Sequence, residues 1–570
     1  MFGQKEFHKF LPYTLFMDVK QSKFLNKILI IGAIFVTLVA TPNINKDSLV
    51  IPKNIILFCI ALFFLPIIIK LLKGNLTDYY SKGLTTLLSL LAIFAFFICL
   101  NSQAPMEQLL FGRTGRGLGF FSFFSFLILT VASSVFIKKD SIKLILIGIS
   151  SAGLLSSSYA SLQYFGLDFF DWDTRTNGII GTLGNPNFQS SFVAMTFVSS
   201  IIAIWHFKYR IVFALVVVSA QIFTLFITNS TQGYIGLSAS ILTLSLFYLW
   251  FKSKKLFSLS LILSSILGIV AVFGMLGRGP LSAYLYKISV QSRGDFWRSA
   301  FTTGNNHPLF GVGFDSFGDY SLKYRDMTAA SHVFAEYTDS AHNYYLDYLA
   351  TGGYLFLSLQ VVLSLLVLYS FYSVAKNRGS FDIEVIGLFT CWLVFQLQAL
   401  ISPMSIPFMM WNAIISGSII GIAGQLKSNK TDKPSVSVRT SKAKSSYWLS
   451  VFFVIMGLII MYPLFNSDRQ QLSAMRTGNG DLLMQAVTMY PESVLKYSQA
   501  SRDLLTSGLP EQSLYLARKS VEFNPNSPAL WSLILINPAA SQQERANAKK
   551  QILELDPLNK EVEAFVISAK

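Results

Sequence analysis

Charged side chains are scarce in this sequence. Aspartate, glutamate, lysine and arginine make up 13% of the 570 residues, whereas apolar residues make up 52% and the mean hydropathy is +0.50. Average globular domains carry about 25% charged residues. The shortage of charge therefore argues against a soluble domain and is typical of a protein that crosses a membrane many times.

Cysteine is also rare. The chain has three cysteines, and Cys59, Cys99 and Cys391 all fall inside apolar runs rather than in polar loops. This placement argues against a disulfide framework and against a zinc site, both of which need clustered cysteines. We interpret all three as small apolar packing residues.

The net charge of +16 raises the question of nucleic acid. The basic residues lie mostly in short links between apolar runs, and they do not cluster with base-stacking aromatic residues on one polar domain. No nucleic-acid partner is therefore expected. The apolar run after the five lysines of residues 1–27 lacks a small-residue cleavage site, so no removable signal peptide is expected either.

Long apolar runs dominate the chain. A helix needs about 20 mainly apolar residues to cross the hydrocarbon core of a bilayer. Thirteen runs are candidate spans: 24–41, 54–73, 84–100, 119–137, 143–165, 188–206, 209–228, 231–251, 256–276, 348–375, 383–402, 405–426 and 447–465. The sequence predicts an all-α polytopic membrane protein with about 13 transmembrane helices and a small helical-repeat domain after them.

The distribution of basic residues predicts the orientation. Cytoplasmic links of membrane proteins are enriched in lysine and arginine. With an N-terminus inside, residues 1–27 and the inside links hold 24 of the 46 basic residues, and the short outside links hold five. We therefore predict a cytoplasmic leader (1–23), a transmembrane domain (24–465) with a large outer loop (277–347), and an extracytoplasmic tail (466–570).

The tail contains a repeat. The segments "TMYPES" (488–493), "EFNPNS" (522–527) and "ELDPLN" (554–559) recur at spacings of 34 and 32 residues. Pro525 and Pro557 each follow a helical pattern that cannot continue through proline. A period near 34 resembles that of tetratricopeptide repeats. An irregular helical cap is the alternative.

Polar residues with possible chemical roles lie in the outer links. His342 stands where the polar loop gives way to an apolar run, and Arg293 and Arg298 lie on a predicted helix of the same loop. Because five residues separate the two arginines, they are expected to face different ways. A second link carries Arg175 and the "GNPN" stretch, in which Asn187 is a candidate helix cap.

Arginines and one boundary histidine suit an anionic group carried by a lipid. Arginine matches pyrophosphate oxygens with a fork of donors, and a histidine can act as base at neutral pH. Each residue also has a purely structural interpretation. Arg113 and Arg116 are expected to extend toward lipid phosphates. Asp295, Asp315 and Asp339 could orient an arginine or histidine, although solvated loop carboxylates are the more common case.

Four pieces of sequence resemble the O-antigen ligase and polymerase family of lipid-linked glycan transferases. They are "GTLGNPNFQSSFVAM", the loop pieces "SRGDFWRSA" and "HPLFGVGFDSF", and "SAHNYYLDYLATGG", in the family's order. The resemblance spans roughly residues 30–425. It implies an all-helical C-type glycosyltransferase fold, a polyprenyl-pyrophosphate glycan donor (normally undecaprenyl), inversion at the anomeric carbon, and neither metal nor cofactor.

The resemblance also implies roles for individual residues. His342 corresponds to the family's base, and Arg293 to the arginine that engages the donor pyrophosphate. Arg175 lies where an arginine is common, and Arg175 and Arg298 could help Arg293 to hold the pyrophosphate. The remaining predicted substrate-binding residues are Asn185, Asn187, Asn343 and Gln232. Gln232 is a departure, because it stands in "NSTQGYIG" where family members often carry arginine.

The acceptor stays open at this stage. A lipid A core would make the chain a ligase, a growing glycan a polymerase, and a protein serine or threonine an O-oligosaccharyltransferase; the ligase is favoured. The tail is a candidate surface for a protein partner. A transporter or flippase is the alternative from another class, but it predicts ionisable residues deep in the spans, and residues 353–375, for example, contain none. A scaffold built on the repeats is a further alternative.

Overall fold

The structure is a computed structural model that describes residues 19–72, 79–168, 170, 172, 178–207, 209–286, 288–332, 337–378, 382–428 and 443–567. Across these residues the chain is helical and contains no strand, which confirms the predicted all-α membrane fold. Most of the predicted leader (1–18) lies outside the described residues. The first helix begins at Val19.

The part of the chain before the outer loop consists mainly of long apolar helices. They are α1 (Val19–Leu38), α2 (Val50–Leu72), α3 (Tyr79–Asn101), the short α4 (Met106–Phe111), α5 (Phe120–Phe136), α6 (Ile142–Tyr164), α7 (Pro186–Ala203), α8 (Arg210–Ile227), α9 (Thr231–Lys252) and α10 (Lys254–Met275). Four long helices follow the loop: α15 (Tyr344–Arg378), α16 (Ile383–Ala399), α17 (Ile406–Ser428) and α18 (Ala443–Thr477).

Each of the thirteen predicted spans coincides with one of these helices. Within the described ranges, ten helices are long and apolar enough to cross a membrane, and Phe120–Phe136 and Ile383–Ala399 are shorter apolar helices. The count of thirteen stays a prediction. Helix α18 continues without a break through the predicted boundary at 465–466.

The centre of the bundle is held by close helix packing. Gly417 and Gly421 lie one turn apart on α17, directly against the backbone of Thr130 and Ser134 on α5. Small residues at this spacing let two helices approach closely, which is how helices associate when lipid removes the hydrophobic drive. The fully buried Trp411 joins α17 to a second helix, α1, by donating a hydrogen bond from Nε1 to Thr37 (3.0 Å).

The outer loop is folded into four helices: α11 (Ser282–Leu285), α12 (Ile288–Asn306), α13 (Phe317–Tyr320) and α14 (Met327–Ser331). The "PLFGVG" segment (308–313) between α12 and α13 forms backbone hydrogen bonds with α15 at a point where that helix is interrupted. Gly353 has φ +74°, outside the helical region. The break leaves carbonyls of the preceding turn without helical partners, and Ala350 and Thr351 accept hydrogen bonds from Val312 (2.9 Å) and Gly313 (3.0 Å).

The tail forms paired helices. They are α19 (Gly480–Val487), α20 (Val494–Thr506), α21 (Pro510–Phe523), α22 (Pro528–Ile536), α23 (Gln542–Leu555) and α24 (Lys560–Ala564), and consecutive members pack on one another. As predicted, α21 and α23 end just before Pro525 and Pro557. The tetratricopeptide identity of the tail stays a prediction.

Candidate functional site

His342 lies at the junction of the outer loop and α15, in an uncommon backbone conformation. Its φ is +52°, a left-handed value that side chains other than glycine rarely adopt. The turn is held by Ser340, whose Oγ accepts a hydrogen bond from the His342 N–H (3.0 Å). Asp347 in turn accepts from Ser340 Oγ (2.8 Å) and from the Ala341 N–H (2.7 Å). These contacts hold the imidazole at one position.

The hydrogen bonds of the His342 ring favour its action as a base. Nδ1 lies 3.2 Å from the carbonyl oxygen of Ser340. Because a carbonyl only accepts, Nδ1 carries the proton of the neutral ring, which leaves the lone pair on Nε2. Burial lowers the pKa of His342 below its usual value, and nearby Arg293 and Arg116 act in the same direction against Asp339. The ring therefore stays neutral at neutral pH.

Helix α12 carries Arg293 and packs against His342 through Phe296. Phe296, one turn beyond Arg293, packs on the His342 ring with centroids 5.3 Å apart. The guanidinium of Arg293 makes no hydrogen bond or ion pair with the residues that the structure describes. Burial lowers its pKa from the ordinary value. A half-buried cation without a carboxylate partner is arranged to receive an anion from outside the chain.

Trp297 provides a second uncommitted donor on the same helix. Its Nε1 is buried and finds no hydrogen-bond partner among the described residues. Because Trp297 follows Arg293 by four residues, the two side chains lie on one face of α12. A buried donor without an acceptor is costly, so this face is suited to a ligand rich in oxygen atoms. The sequence analysis assigned no binding role to Trp297.

Arg116 is surrounded by carboxylates rather than extended toward lipid. Its Nε donates to Asp315 (3.1 Å), Nη1 donates to the backbone oxygen of Asp339 (3.0 Å), and Nη2 lies 3.6 Å from Asp347. Burial alone would lower the pKa of Arg116, but the three carboxylates together raise it. Asp347 also accepts a hydrogen bond from Ser340, which holds the His342 turn. Arg116 is therefore linked to His342 indirectly, through Asp347 and Ser340.

Arg113 forms the other half of this network. Its Nη1 donates to Asp319 (3.3 Å), and its guanidinium lies 5.2 Å from the ring centroid of Tyr337. Its backbone N–H donates to Asp315 (3.0 Å). Gly112, with φ +83°, gives the chain the turn that directs this link inward. The expectation that Arg113 and Arg116 extend toward lipid phosphates is therefore wrong.

The carboxylates of the loop are bound to basic side chains, although 43% of the Asp339 side chain is also exposed to solvent. Asp315 is 6% exposed and Asp295 is 9% exposed. Asp295 accepts from Arg298 (2.6 Å) and lies 2.7 Å from His332 Nδ1. The less common interpretation, in which these groups orient an arginine or histidine, is the one that the structure shows for Asp295, Asp315 and Asp339.

Arg298, unlike Arg293, is engaged in ion pairs within the loop. Besides Asp295, its guanidinium binds Asp326 through Nε (2.6 Å), and these hydrogen bonds raise its pKa. Its predicted contact with substrate stays a prediction, and such a contact would compete with two carboxylates. Arg175, the other predicted supporting arginine, lies outside the described residues.

The "GNPN" stretch forms a rigid entry to α7. Asn185 is the N-cap: its Oδ1 accepts from the Asn187 N–H (2.8 Å), and Pro186 occupies the first helical position. The sequence analysis expected Asn187 to cap, but its Oδ1 instead accepts from Ser230 (2.7 Å). The buried Lys53 fixes the preceding turn by donating to the carbonyl of Thr182 (2.6 Å).

The remaining predicted substrate-binding residues make internal contacts. Gln232 is buried, and its Oε1 accepts from Ser402 (3.2 Å) and Ser191 (3.5 Å). Asn343 accepts from the N–H groups at the start of α15 and donates to the carbonyl of Leu400 (3.1 Å). Their predicted contacts with substrate, like those of Asn185 and Asn187, stay predictions.

A match to a known family covers the loop just described. Residues 214–361 match the family model Wzy_C, described as O-Antigen ligase. Over these residues the chain is similar to O-antigen ligases, and we call the segment the O-antigen ligase domain after the model that it matches. It runs from α8 into α15 and therefore includes Gln232, Arg293 and His342. No curated protein matches the chain.

The match confirms the predicted resemblance to the O-antigen ligase and polymerase family, and it supports a lipid-linked glycan ligase type of function in a multi-pass membrane protein. In general terms, such a function implies a lipid-linked glycan donor and a glycan acceptor. The "GNPN" stretch, Arg113, Arg116 and the tail lie outside residues 214–361 and are therefore not part of the match.

Proposed function

We propose that this protein transfers an oligosaccharide or polysaccharide from a polyprenyl-pyrophosphate donor to an acceptor hydroxyl. The reaction takes place on the outer face of the cytoplasmic membrane, with the N-terminus inside and the tail outside. One observation carries the proposal: within the O-antigen ligase domain, the guanidinium of Arg293, which has no partner among the described residues, lies near His342, whose Nε2 is left as a free base.

The chemical step is a direct displacement. His342 Nε2 takes the proton of the acceptor hydroxyl while that oxygen forms a bond to the anomeric carbon. The bond from this carbon to the pyrophosphate oxygen breaks, and its electron pair leaves with the polyprenyl pyrophosphate. Because the acceptor attacks opposite the leaving group, the anomeric configuration inverts. The step needs neither metal nor cofactor, because general base catalysis and charge stabilisation supply what the displacement requires.

Arg293 stabilises the leaving group. Negative charge grows on the pyrophosphate as the glycosidic bond breaks, and a half-buried guanidinium stabilises that charge more strongly than one in water. Its planar fork can hold two phosphate oxygens at once. The buried Nε1–H of Trp297 lies on the same face of α12 and would donate to the same group once the side chain moves to meet the bound donor.

The substrates approach from the solvent side of α12. A cavity of about 40 Å³ lies beneath the carboxylate network, next to Arg116, Asp339 and Tyr348. Sites for small organic ligands occupy about 300–1,000 Å³, so this cavity has room for a few water molecules and not for a glycan. The donor and the acceptor therefore meet above His342, where Arg293 and Trp297 are uncommitted.

The proposal favours a ligase, with a lipid A core as acceptor. A polymerase acting on a growing lipid-linked glycan, and a protein O-oligosaccharyltransferase that uses the tail to hold its acceptor, are the alternatives. A flippase is disfavoured because the charged groups of the site belong mainly to the loop and the outer links rather than to the middle of the helices.

The deciding experiment measures donor consumption by the purified full chain. Polyprenyl-pyrophosphate oligosaccharide is mixed with a lipid A core, with excess donor alone, or with a serine-rich peptide. We expect wild type to release polyprenyl pyrophosphate, and the acceptor that gains sugar identifies the subtype. His342→Gln and Arg293→Gln should lower the rate by about 10³-fold, within the range for loss of a general base or a charge-stabilising donor.

The matched controls lie in the same loop. His307→Gln alters a histidine that pairs with Tyr324, and Arg278→Gln alters an exposed arginine. Both should keep wild-type rates. Full activity in His342→Gln and Arg293→Gln would refute the assignment of the site, and the absence of any donor consumption by wild type would refute the proposed function.

A further inference from the structure

A large apolar cavity lies far from the candidate site. It has a volume of about 480 Å³ and is enclosed by α9, α10, α15 and α16. Thirteen of its sixteen lining residues are apolar, among them Phe247, Trp250, Leu261 and Phe371. The volume falls within the range of small-ligand sites, and the lining suits a hydrocarbon chain.

The cavity lies at the opposite end of the helices from His342. Tyr344 begins α15 next to His342, whereas the cavity is lined by Phe371 and Tyr372 near the end of the same helix. At 1.5 Å per residue, this separation is about 40 Å. Whatever occupies the cavity is therefore in the other leaflet from the proposed donor pyrophosphate.

The cavity opens sideways into the membrane. Helix α10 packs on α9 and on the short α11, and of its described residues Gly274 is the one that is buried. Trp250 and Leu261, which line the cavity from α9 and α10, are 41% and 43% exposed. A lipid can therefore enter between α10 and α15 without crossing the bundle.

Two lysines lie at the mouth of the cavity. Lys254 lies with Nζ 3.4 Å from the ring centroid of Trp250, which lines the cavity. Lys376 lines the cavity from the end of α15. An ammonium group over an aromatic ring keeps its N–H donors available to another acceptor. The cavity thus combines an apolar interior with a cationic mouth.

One carboxylate also faces the cavity. Asp382 is already engaged: it lies 3.5 Å from Lys139 and caps α16 by accepting from the Val385 N–H (3.4 Å). The charge of Asp382 is therefore balanced by Lys139, and Lys254 and Lys376 leave an excess of positive charge at the opening.

We propose that this cavity is a binding site for an anionic phospholipid, with an acyl chain among the aromatic residues and the phosphate on Lys254 and Lys376. Basic pockets between transmembrane helices bind anionic headgroups in this way. A zwitterionic lipid would gain the same apolar contacts but would place its own cation among the lysines. The charge therefore selects the headgroup, and the cavity selects the chain.

Native mass spectrometry of the purified full chain tests this proposal. The protein is titrated with phosphatidylglycerol or with phosphatidylcholine of the same acyl chains. We expect about tenfold higher occupancy by phosphatidylglycerol, since each lysine near a headgroup contributes measurably to anionic lipid binding. Lys254→Gln combined with Lys376→Gln should abolish the preference, and Leu261→Trp, which narrows the cavity, should lower the occupancy of both lipids.

The matched control is Lys23→Gln combined with Lys27→Gln. Both lysines are exposed on α1, which does not line the cavity, and α1 meets the link before α6 through Asn26. This variant should bind lipid like wild type, and all variants should keep the wild-type circular dichroism spectrum. Equal occupancy by the two lipids, an unchanged preference after removal of Lys254 and Lys376, or recovery of a polyprenyl phosphate instead would overturn the proposal.

Discussion

Asn524 of the tail donates a hydrogen bond of 3.0 Å from Nδ2 to Oδ2 of Asp319 on the outer loop. The same carboxylate accepts from Gln108 (3.1 Å) and from Arg113 (3.3 Å), and both Asn524 and Asp319 are buried. Arg325 of the loop binds Asp556 of the tail nearby (2.8 Å). The tail is therefore attached to the ionic network beneath the site.

Asn524→Asp should weaken this attachment. It keeps the shape of the side chain but places a carboxylate against Asp319, and breaking a buried hydrogen bond to a charged group costs about 1.5–3 kcal/mol. We expect faster amide hydrogen exchange in the outer loop and in α21, and a several-fold lower kcat for donor consumption. Lys519→Gln, on the exposed face of α21, is the control. Unchanged exchange in the loop would show that the contact does not stabilise it.

Arg116→Lys should impair His342 without changing donor binding. A single ammonium cannot bridge Asp315, Asp339 and Asp347 as the guanidinium does, so the Asp347–Ser340 contacts that hold His342 would loosen. Misplacement of a catalytic group by about 1 Å can cost about 10²-fold in rate. The expected signature is a lower kcat at a nearly unchanged KM for the donor. A rise in KM alone would instead make Arg116 a donor-binding residue.

Arg293→Lys and Arg293→Gln should differ. Lysine keeps the positive charge but loses the two-pronged contact, so we expect about 10–10²-fold loss with lysine and a larger loss with glutamine. Steady-state kinetics of donor consumption measures both. Arg278→Lys, in an exposed part of the loop, serves as the control. Equal and complete loss in both variants, with a wild-type fold, would mean that the geometry of the guanidinium matters more than its charge.

The helices and the order of the loop motifs were predictable from the sequence. A run of about 20 apolar residues can cross a bilayer as a helix and leave no backbone group unsatisfied, so each predicted span coincides with a helix. His342 was found because a polar loop must end where a span begins, and Arg293 was found through the resemblance of "SRGDFWRSA" to the family's loop. The stop of α21 before Pro525 follows directly from the missing N–H of proline.

The contacts within the site were less predictable, because they join segments far apart in the chain. Arg116 meets Asp315 and Asp339 across about 200 residues, and nothing near Arg116 in the sequence indicates these partners. The cap of α7 was predictable: a residue before a proline at the first helical position is a favoured N-cap, which indicates Asn185 rather than Asn187. The unpaired Nε1 of Trp297 follows from packing alone.

The pH dependence of the reaction should follow the protonation of His342. Burial lowers the pKa of this histidine below 6.5, so the neutral base persists into mildly acidic solution, and activity should fall only as the pH drops through that lowered value. Asp339 acts against this shift by raising the pKa of His342. Asp339→Asn should therefore move the acidic limb of kcat/KM to still lower pH.

Donor consumption measured between pH 4 and 8 tests both statements. Arg278→Gln, which alters an exposed charge of the same loop, should leave the limb where it is in wild type. A limb above pH 6.5 in wild type, or a shift to higher pH in Asp339→Asn, would show that another group titrates, because removing a nearby carboxylate can only make protonation of His342 less favourable.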